Sequence, residues 1–553
     1  VLASEHQESR HQAFARLARE EYDLLVIGGG ITGLGVALDA ATRGLKTALV
    51  ERQDFSSGTS SKSSKLIHGG VRYLQQGEIG LVYEALRERQ RLRQNAPHLV
   101  QVLPFMIPIL KRDGVVSRKI ARALGTALWM YDLTGGWRIG RFHRRLKADK
   151  AFAHLPTMDR PRLGSAYLYF DAMADDSRIC VALARTAIDN GAEIVNYTRV
   201  EKILHDADNK ARGVRVKPFD ADAFEIRAKV VVNATGVWSD EVMATDMGKN
   251  PDSIRPAKGV HLTVPWKLVQ NDIAIVIPVP GDKRSLFLIP WISNHDGTFQ
   301  YTYIGTTDTD FNGPIDDPQC SGADIDYVLR ALNAAVTTKV TRDDVTAVWS
   351  GLRPLVKSVS GEKLSARTAD LSRRHKVATS ESGVISIAGG KLTTYRKMAE
   401  DTVDLASQRL GFMTKCKTKR HLLIGASSGK SSRAPEPNNT ALHLHARFGD
   451  ETDRIMGLID QDPTLGEPLI HGLPYLRAEA IFAVQNEMAL TLDDVLSRRT
   501  RARIINRRAS VAASQQVAEL IAPHLGWNRA EVDRQVREFH DSCAAEDQAA
   551  VAG

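Results

Sequence analysis

Residues 22–44, YDLLVIGGGITGLGVALDAATRG, restrict the fold more than any other part of the chain. An apolar run of strand length, residues 22–27, leads into three glycines and then into a helix-forming run closed by Gly44. Gly28, Gly30 and Gly33 stand in G-x-G-x-x-G register, in the strand-to-helix setting that gives that spacing its meaning. Gly28 allows the tight turn, Gly30 lets a pyrophosphate approach the main chain, and Gly33 lets helix and strand pack closely. Phosphate charge then meets free N–H groups at the helix N-terminus. A second apolar strand, KTALV, ends at Glu51, close to the ~20-residue spacing of the acid that accepts hydrogen bonds from both ribose hydroxyls. Such an opening predicts an α/β fold with a Rossmann-like dinucleotide-binding domain. A turn that merely packs is the plainer alternative, and the second strand with its terminal acid weighs against it.

The choice of dinucleotide comes from further along. After Glu51 the chain runs RQDFSSGTSSKSSKLIHGGVRYLQQG, crowded with small and hydroxyl residues that suit the flank of an extended cofactor. A flexible Ser-rich linker would lack the switch to interleaved apolar, charged and aromatic residues in SKLIHGGVRYL. Two more strand-to-glycine junctions follow, AKVVVNATGVWSD at 228–240 and VISIAGGKLTTYRKMAED at 384–401. The helix after Gly389-Gly390 aims its positive end at whatever lies beyond, which suits the negative charge of a reduced flavin. Three such junctions fit a long cofactor, FAD, threaded through a discontinuous domain. The candidate cofactor residues are Gly28, Gly29, Gly30, Thr32 and Gly33, then Glu51 and Arg52, then Thr59, Ser60, Ser61, Ser64, Lys65 and Leu66. Val200, Ala234, Thr235, Gly236, Gly389, Gly390, Leu392 and Thr393 complete the set.

Eight stretches occur in order between about 22 and 401: LLVIGGGITGLGVALDAATRGL, TSSKSSKLIHGGVRYL, VNATGVWSD, KGVHL, FLIPW, IGTTDTDF, WSGLRPL and GGKLTTYRKMAED. On these the sequence resembles the flavin-dependent respiratory glycerol-3-phosphate dehydrogenases, within the D-amino-acid-oxidase-like flavoproteins. LIHGGVRYL, SGLRP and GGKLTTYRK are the restrictive ones. The resemblance is looser past residue 410, where the family carries a helical domain. It implies oxidation of sn-glycerol 3-phosphate to dihydroxyacetone phosphate, with hydride passing from C2 to the flavin and electrons passing to a membrane quinone. A glycerol-3-phosphate oxidase delivering electrons to oxygen would share these motifs. A nucleic-acid-binding flavoprotein with structural FAD is the reading from another class. It is disfavoured because Arg72 and Arg353 sit in strand–turn motifs rather than in a charged run.

An alcohol oxidation needs a phosphate grip and a base. Arginine is the planar, multidentate partner of phosphate, which selects Arg72 in HGGVRYL and Arg353 in SGLRPL, with Tyr73 as a hydroxyl donor. For the base, His68, His261 and Lys391 compete. Lys391 at a helix start, or Lys258, could instead stay charged and bind phosphate. The expected catalytic set is therefore His68, His261, Lys391 and Arg353, and the substrate set Arg72, Tyr73, Lys258, Arg353 and Lys391. IGTTDTDF, at 304–311, reads equally as a capped turn or as substrate contact. No metal-ligand cluster is visible.

At 553 residues the chain is long enough for three or four domains. The expected division is an exposed N-terminal helix over 1–20 and an FAD domain from 21–95, 165–255 and 365–410. An antiparallel-sheet substrate domain takes 96–164 and 256–364, and a helical C-terminal domain takes 411–553, with a Pro/Ser-rich linker at 427–439. The net charge of +9 points to anionic partners. Four scattered cysteines without a CxxC pair suit a reducing, cytoplasmic setting. No run of about 18 apolar residues is present, so any membrane contact is expected to be peripheral, on the inner face. Residues 117–147, basic and bearing Trp129 and Trp137, read either as that contact or as ordinary packing. The basic run ALTLDDVLSRRTRARIINRRA reads as a helix surface or a homodimer contact.

Overall fold

The computed structural model describes residues 2–70, 78–111, 121–282, 284–357, 374–427 and 439–551. Leu24, Leu25 and Val26 are completely buried, as a strand covered on both faces by helices requires. That strand, Glu21–Ile27, lies between Phe224–Asn233 and Thr47–Val50, parallel to both. Glu193–Val195 continues the parallel sheet on one side and Ile385–Ala388 on the other. The central strands thus end together at Ile27, Val50, Asn233 and Ala388, the edge where open α/β sheets bind ligands. The helices Ile31–Arg43, Asp176–Asp189 and Tyr395–Leu410 bury their apolar faces on the same core as Leu24 and Val26.

A second, largely antiparallel sheet of ten strands stands beside the first. One long ladder joins Ile254–Pro265 to Ala347–Val356, and the strands Phe299–Gly305 and Ser285–Ser293 extend the sheet beyond it. Leu163–Ala174, expected from 165 onward to open a piece of the FAD domain, belongs to this sheet. It pairs with Val100–Leu110 along nearly its whole length, a partnership that a sequence boundary at 165 cuts through. Pro104 and Pro108 are accommodated within that ladder.

The N-terminal helix Leu2–Arg19 is not an exposed extension: Phe14 and Leu17 are buried with Tyr22, Leu25 and Ile27. Arg10 ties it down through Asn196 and Asp220. Helices from Asn439–Phe448 to Arg529–Val551 form the C-terminal part. The arginines at the centre of its basic run are not a free surface. Arg499 is 1% exposed and grips Asp54 at 2.7 and 2.8 Å, while Arg498 reaches Asp54 at 2.6 Å. The expected linker at 427–439 lies almost wholly outside the described residues, as do Arg72, Tyr73 and 365–373. Among the described residues no helix is long and apolar enough to cross a membrane.

Candidate active site

A cavity of about 490 Å³ opens at the common end of the parallel strands. Gly28, Gly30 and Thr32 form one wall, Glu51 and Arg52 a second, and Thr59 and Ser60 a third. Val200, Ala234, Thr235, Gly236, Gly389, Gly390 and Leu392 also face it. All three strand-to-glycine junctions therefore meet here. The Glu51 carboxylate takes Gly29 N–H at 2.6 Å and Gln53 N–H at 2.8 Å, which fixes its direction and leaves lone pairs for ribose hydroxyls. Burial pushes its pKa up against those two hydrogen bonds. Arg52 stacks 4.3 Å from the Trp238 ring and pairs with Asp316, so its charge closes the rim. At Gly30 an added Cβ would come 3.1 Å from the Ser60 hydroxyl, space left to a ligand's phosphates. Glycine cradle, ribose acid and cavity size fit an extended dinucleotide such as FAD.

Seven of the expected cofactor residues do not line this cavity. Gly29 contributes its N–H to Glu51, and Gly33 serves the helix–strand contact. Ser61 offers its carbonyl to Lys65 and Arg501. Lys65 is 2% exposed and turns away to Asp176, 3.1 Å distant. Burial, then the nearby Arg501, bring its ammonium down to about 8. Ser64, Leu66 and Thr393 face a smaller chamber instead, and Thr393 bonds the main chain of His68.

That chamber, about 230 Å³, shares Thr59, Ser60, Gly389, Gly390 and Lys391 with the larger cavity. His68, His261, Arg353 and Lys391, separated by up to 323 positions in the chain, all line it. Arg353 is held by Asp308 at 3.1 Å, by the Thr306 hydroxyl at 3.1 Å and by the Thr307 carbonyl at 3.1 Å. The imidazole of His261 stacks on Trp349, centroids 4.7 Å apart, and its Nε2 lies 2.8 Å from the Ser64 hydroxyl. Burial, with Lys65 and Arg353 adding repulsion, holds its pKa well below the ordinary histidine value. A neutral imidazole results.

Lys258 is elsewhere. On the strand Ile254–Pro265 alternate side chains face opposite ways. Gly259 and His261 face the chamber; Lys258 shares the other face with Val260 and Leu262 and pairs with Asp324 at 2.6 Å. The IGTTDTDF segment is neither of the two expected alternatives alone, because Thr306 lines the chamber and, with Thr307 and Asp308, clamps Arg353. Trp349, Asp308, Gly259 and Gly305 belong to the site in addition to the candidates that the sequence offers. Added Cβ atoms at Gly259 and Gly305 would fall 2.7 Å from Arg353 and 2.1 Å from His261, so bare backbone is what admits both side chains. Their signal was present in the motifs KGVHL, IGTTD and WSGLRPL. Among the described residues no group of His, Cys, Asp and Glu could hold a metal ion.

A parallel sheet with a glycine cradle, set against an antiparallel sheet that supplies a polar chamber, defines a two-sheet dinucleotide-dependent oxidoreductase. Residues 23–396 match the family of FAD-dependent oxidoreductases, and residues 416–532 match the C-terminal domain of alpha-glycerophosphate oxidase. Glycerol-3-phosphate dehydrogenase 2 of Mycobacterium tuberculosis is 40% identical over 97% of this chain and 90% of its own. The mitochondrial glycerol-3-phosphate dehydrogenase of Homo sapiens is 37% identical over 92% of this chain and 71% of its own. The crystal structure of the glycerol-3-phosphate dehydrogenase from Bacillus halodurans, complexed with FAD, superposes with a TM-score of 0.77 at 30% identity, covering 97% of each chain. The chain belongs to the glycerol-3-phosphate dehydrogenase family of FAD-dependent oxidoreductases.

Proposed function

We propose that the protein oxidises the secondary alcohol of sn-glycerol 3-phosphate to dihydroxyacetone phosphate and delivers the two electrons to a membrane quinone. The observation that carries this is the small chamber, where two imidazoles and two cationic side chains converge beside the glycine cradle. Bound FAD supplies the hydride acceptor for C2. The protein must hold the phosphate, remove the hydroxyl proton and keep bulk water out. Arg353, aimed by Asp308 and Thr306, binds the phosphate; a guanidinium offers it paired donors in a fixed plane. His261, neutral and stacked on Trp349, takes the hydroxyl proton. His68 is the second candidate for that role, and Lys391 adds positive charge for the phosphate or the developing carbonyl oxygen. Glu51 holds the cofactor ribose, and Gly28 to Gly30 receive the pyrophosphate. Arg72 and Tyr73 enter as substrate contacts on their motif alone.

The quinone assignment draws support from one surface. Along and just after the helix Ala121–Thr134, Trp129, Met130, Leu133 and Phe142 are 54%, 40%, 70% and 51% exposed. Arg141, Arg144, Arg145 and Lys147 stand exposed beside them. Apolar side chains rimmed by cations suit an anionic lipid headgroup layer, and hence a peripheral seat on the inner face of the membrane. The test is anaerobic addition of glycerol 3-phosphate to the purified yellow protein, followed by reoxidation with a quinone or with oxygen. Bleaching, with quinone far faster than oxygen, is expected. Fast stoichiometric peroxide release would replace the quinone by oxygen.

A further inference from the structure

The sequence Arg498-Arg499-Thr500-Arg501 carries three arginines of the helical C-terminal domain into contact with the cofactor loop. Asp54 absorbs the first two. Arg501 has a different target. It is 2% exposed, sits in left-handed backbone at φ 66°, and donates to the Ser61 carbonyl and to Asp176 Oδ1, 3.1 Å away. Asp176 Oδ1 also takes the Lys65 ammonium at 3.1 Å, and its Oδ2 takes the Ser63 N–H at 3.0 Å and the Ser63 hydroxyl at 2.6 Å. Ser61, Ser63 and Lys65 are thereby pinned around one carboxylate and one guanidinium. Ser64 lies between them, its own carbonyl accepting from the Tyr303 hydroxyl at 3.0 Å. Its hydroxyl is the one bonded to His261 Nε2.

We propose that Arg501 is a positioning residue of the oxidation site: through Asp176 and the Ser61–Lys65 loop it fixes the Ser64 hydroxyl, and through Ser64 the tautomer and orientation of His261. This rests on His261 acting as the base. A neutral imidazole has one donor and one acceptor nitrogen, and the partner at one nitrogen decides the role of the other. Ser64 is that partner, and its place in the chamber depends on the bonds that hold its own carbonyl and its neighbours in the loop. Tyr303 holds the carbonyl, and two cations on Asp176 hold the neighbours: Lys65 from within the loop, Arg501 from a domain more than 300 residues further along the chain. The C-terminal domain thus reaches the reacting atoms by way of one side chain. An arginine suits the task because its fork holds a carbonyl and a carboxylate at once, which an ammonium at the same backbone position reaches less well. Misplacing a catalytic group by about 1 Å costs on the order of 100-fold in rate.

The experiment compares full-length holoenzyme with the variants Arg501→Lys, Ser64→Ala, their combination and His261→Gln, by anaerobic stopped-flow reduction of the flavin with glycerol 3-phosphate. Arg501→Lys is expected to keep one flavin per chain and to change substrate affinity less than about 3-fold, since Arg353 is untouched, while slowing reduction about 10-fold. Ser64→Ala should slow it at least as much. Because both act on one imidazole, the combined variant should be no slower than Ser64→Ala alone. Rate losses that multiply in the combined variant, or an unaltered rate in Arg501→Lys, would overturn the proposal. His261→Gln separates the two levels. A fast His261→Gln enzyme removes His261 as base and the proposal with it, whereas an inactive one beside multiplying losses removes only the role of Arg501.

Discussion

Replacing Gly33 by alanine should strip the protein of its flavin while leaving it folded. The added Cβ would stand 1.9 Å from the Gly28 carbonyl oxygen and 3.1 Å from its carbon, with the Ala234 methyl at 3.4 Å. An ordinary carbon–oxygen contact begins at about 3.3 Å, so helix and turn must separate by more than about 1 Å. The turn cannot supply that movement. Gly28 N–H is bonded to the Val50 carbonyl at 2.9 Å, and the Gly28 Cα abuts the Ala234 carbonyl, 2.8 Å from where a Cβ would stand. The helix Ile31–Arg43 must shift instead, carrying its N-terminal amides off the pyrophosphate position. Overpacking of this kind costs about 1–3 kcal/mol, which corresponds to roughly 5- to 150-fold weaker flavin binding. The assay is flavin per chain from the visible spectrum after dialysis, then titration of apoprotein with FAD, with circular dichroism to verify the fold. Gly80→Ala, where a Cβ meets nothing within 4 Å, is the matched control and should retain its flavin. A yellow Gly33→Ala protein with unaltered FAD affinity would refute the account of the turn.

Arg353→Ala should raise KM for glycerol 3-phosphate by about 100-fold or more, as expected for loss of a buried charged partner, and retain FAD because Arg353 lines only the smaller chamber; unaltered steady-state kinetics would remove it from the pocket. Since His261 is held below the ordinary histidine value, it stays neutral and able to accept a proton as pH falls through 6.5. Flavin reduction at saturating substrate should therefore show no inflection near that pH, and a loss of rate centred there would contradict the assignment. Glu479 is buried, which raises its pKa, yet His443 and Arg447 bring it down to about 2. A depressed carboxylate contributes stability that is complete above its unfolded value and is lost as pH falls toward 2, on the order of 3 kcal/mol here. Glu479→Gln should flatten the acid side of the denaturation curve between about pH 4.5 and 2 relative to the parent; an unchanged acid limb would show that this cluster does not govern it.

The parts of the site that local sequence encodes were readable from sequence alone. Gly28, Gly30 and Glu51 follow from a strand, a turn and a helix within 30 positions, and turn chemistry does not need the rest of the fold. His261, Arg353 and Lys391 stood in recognisable motifs, and the fold brings them into one chamber. What failed depended on facing and on distance. Lys258 and His261 are three positions apart on one strand, and the tertiary packing of Val260 and Leu262, which includes the helix Gly322–Ala335, decides which parity faces the chamber. The strand Leu163–Ala174 is split by the expected boundary at 165 because its apolar pattern suits either sheet, and its partner Val100–Leu110 lies far back in the chain. The arginines at 498–501 read as a helix surface or a homodimer contact, since Asp54 and Asp176 are 445 and 325 positions away and no local spacing announces such a pairing. Buried ion pairs between domains leave no periodic trace.

The proposed reaction requires one chamber to hold a three-carbon phosphoester against a bound flavin, which takes two electrons from it. Spectrophotometric titration of the oxygen-free yellow protein with sn-glycerol 3-phosphate tests it directly. The flavin absorbance should bleach fully, with one dihydroxyacetone phosphate formed per flavin, while glycerol lacking the phosphate leaves the colour unchanged at the same concentration. Colour that persists in the presence of every three-carbon phosphate, or that glycerol discharges equally well, would contradict it.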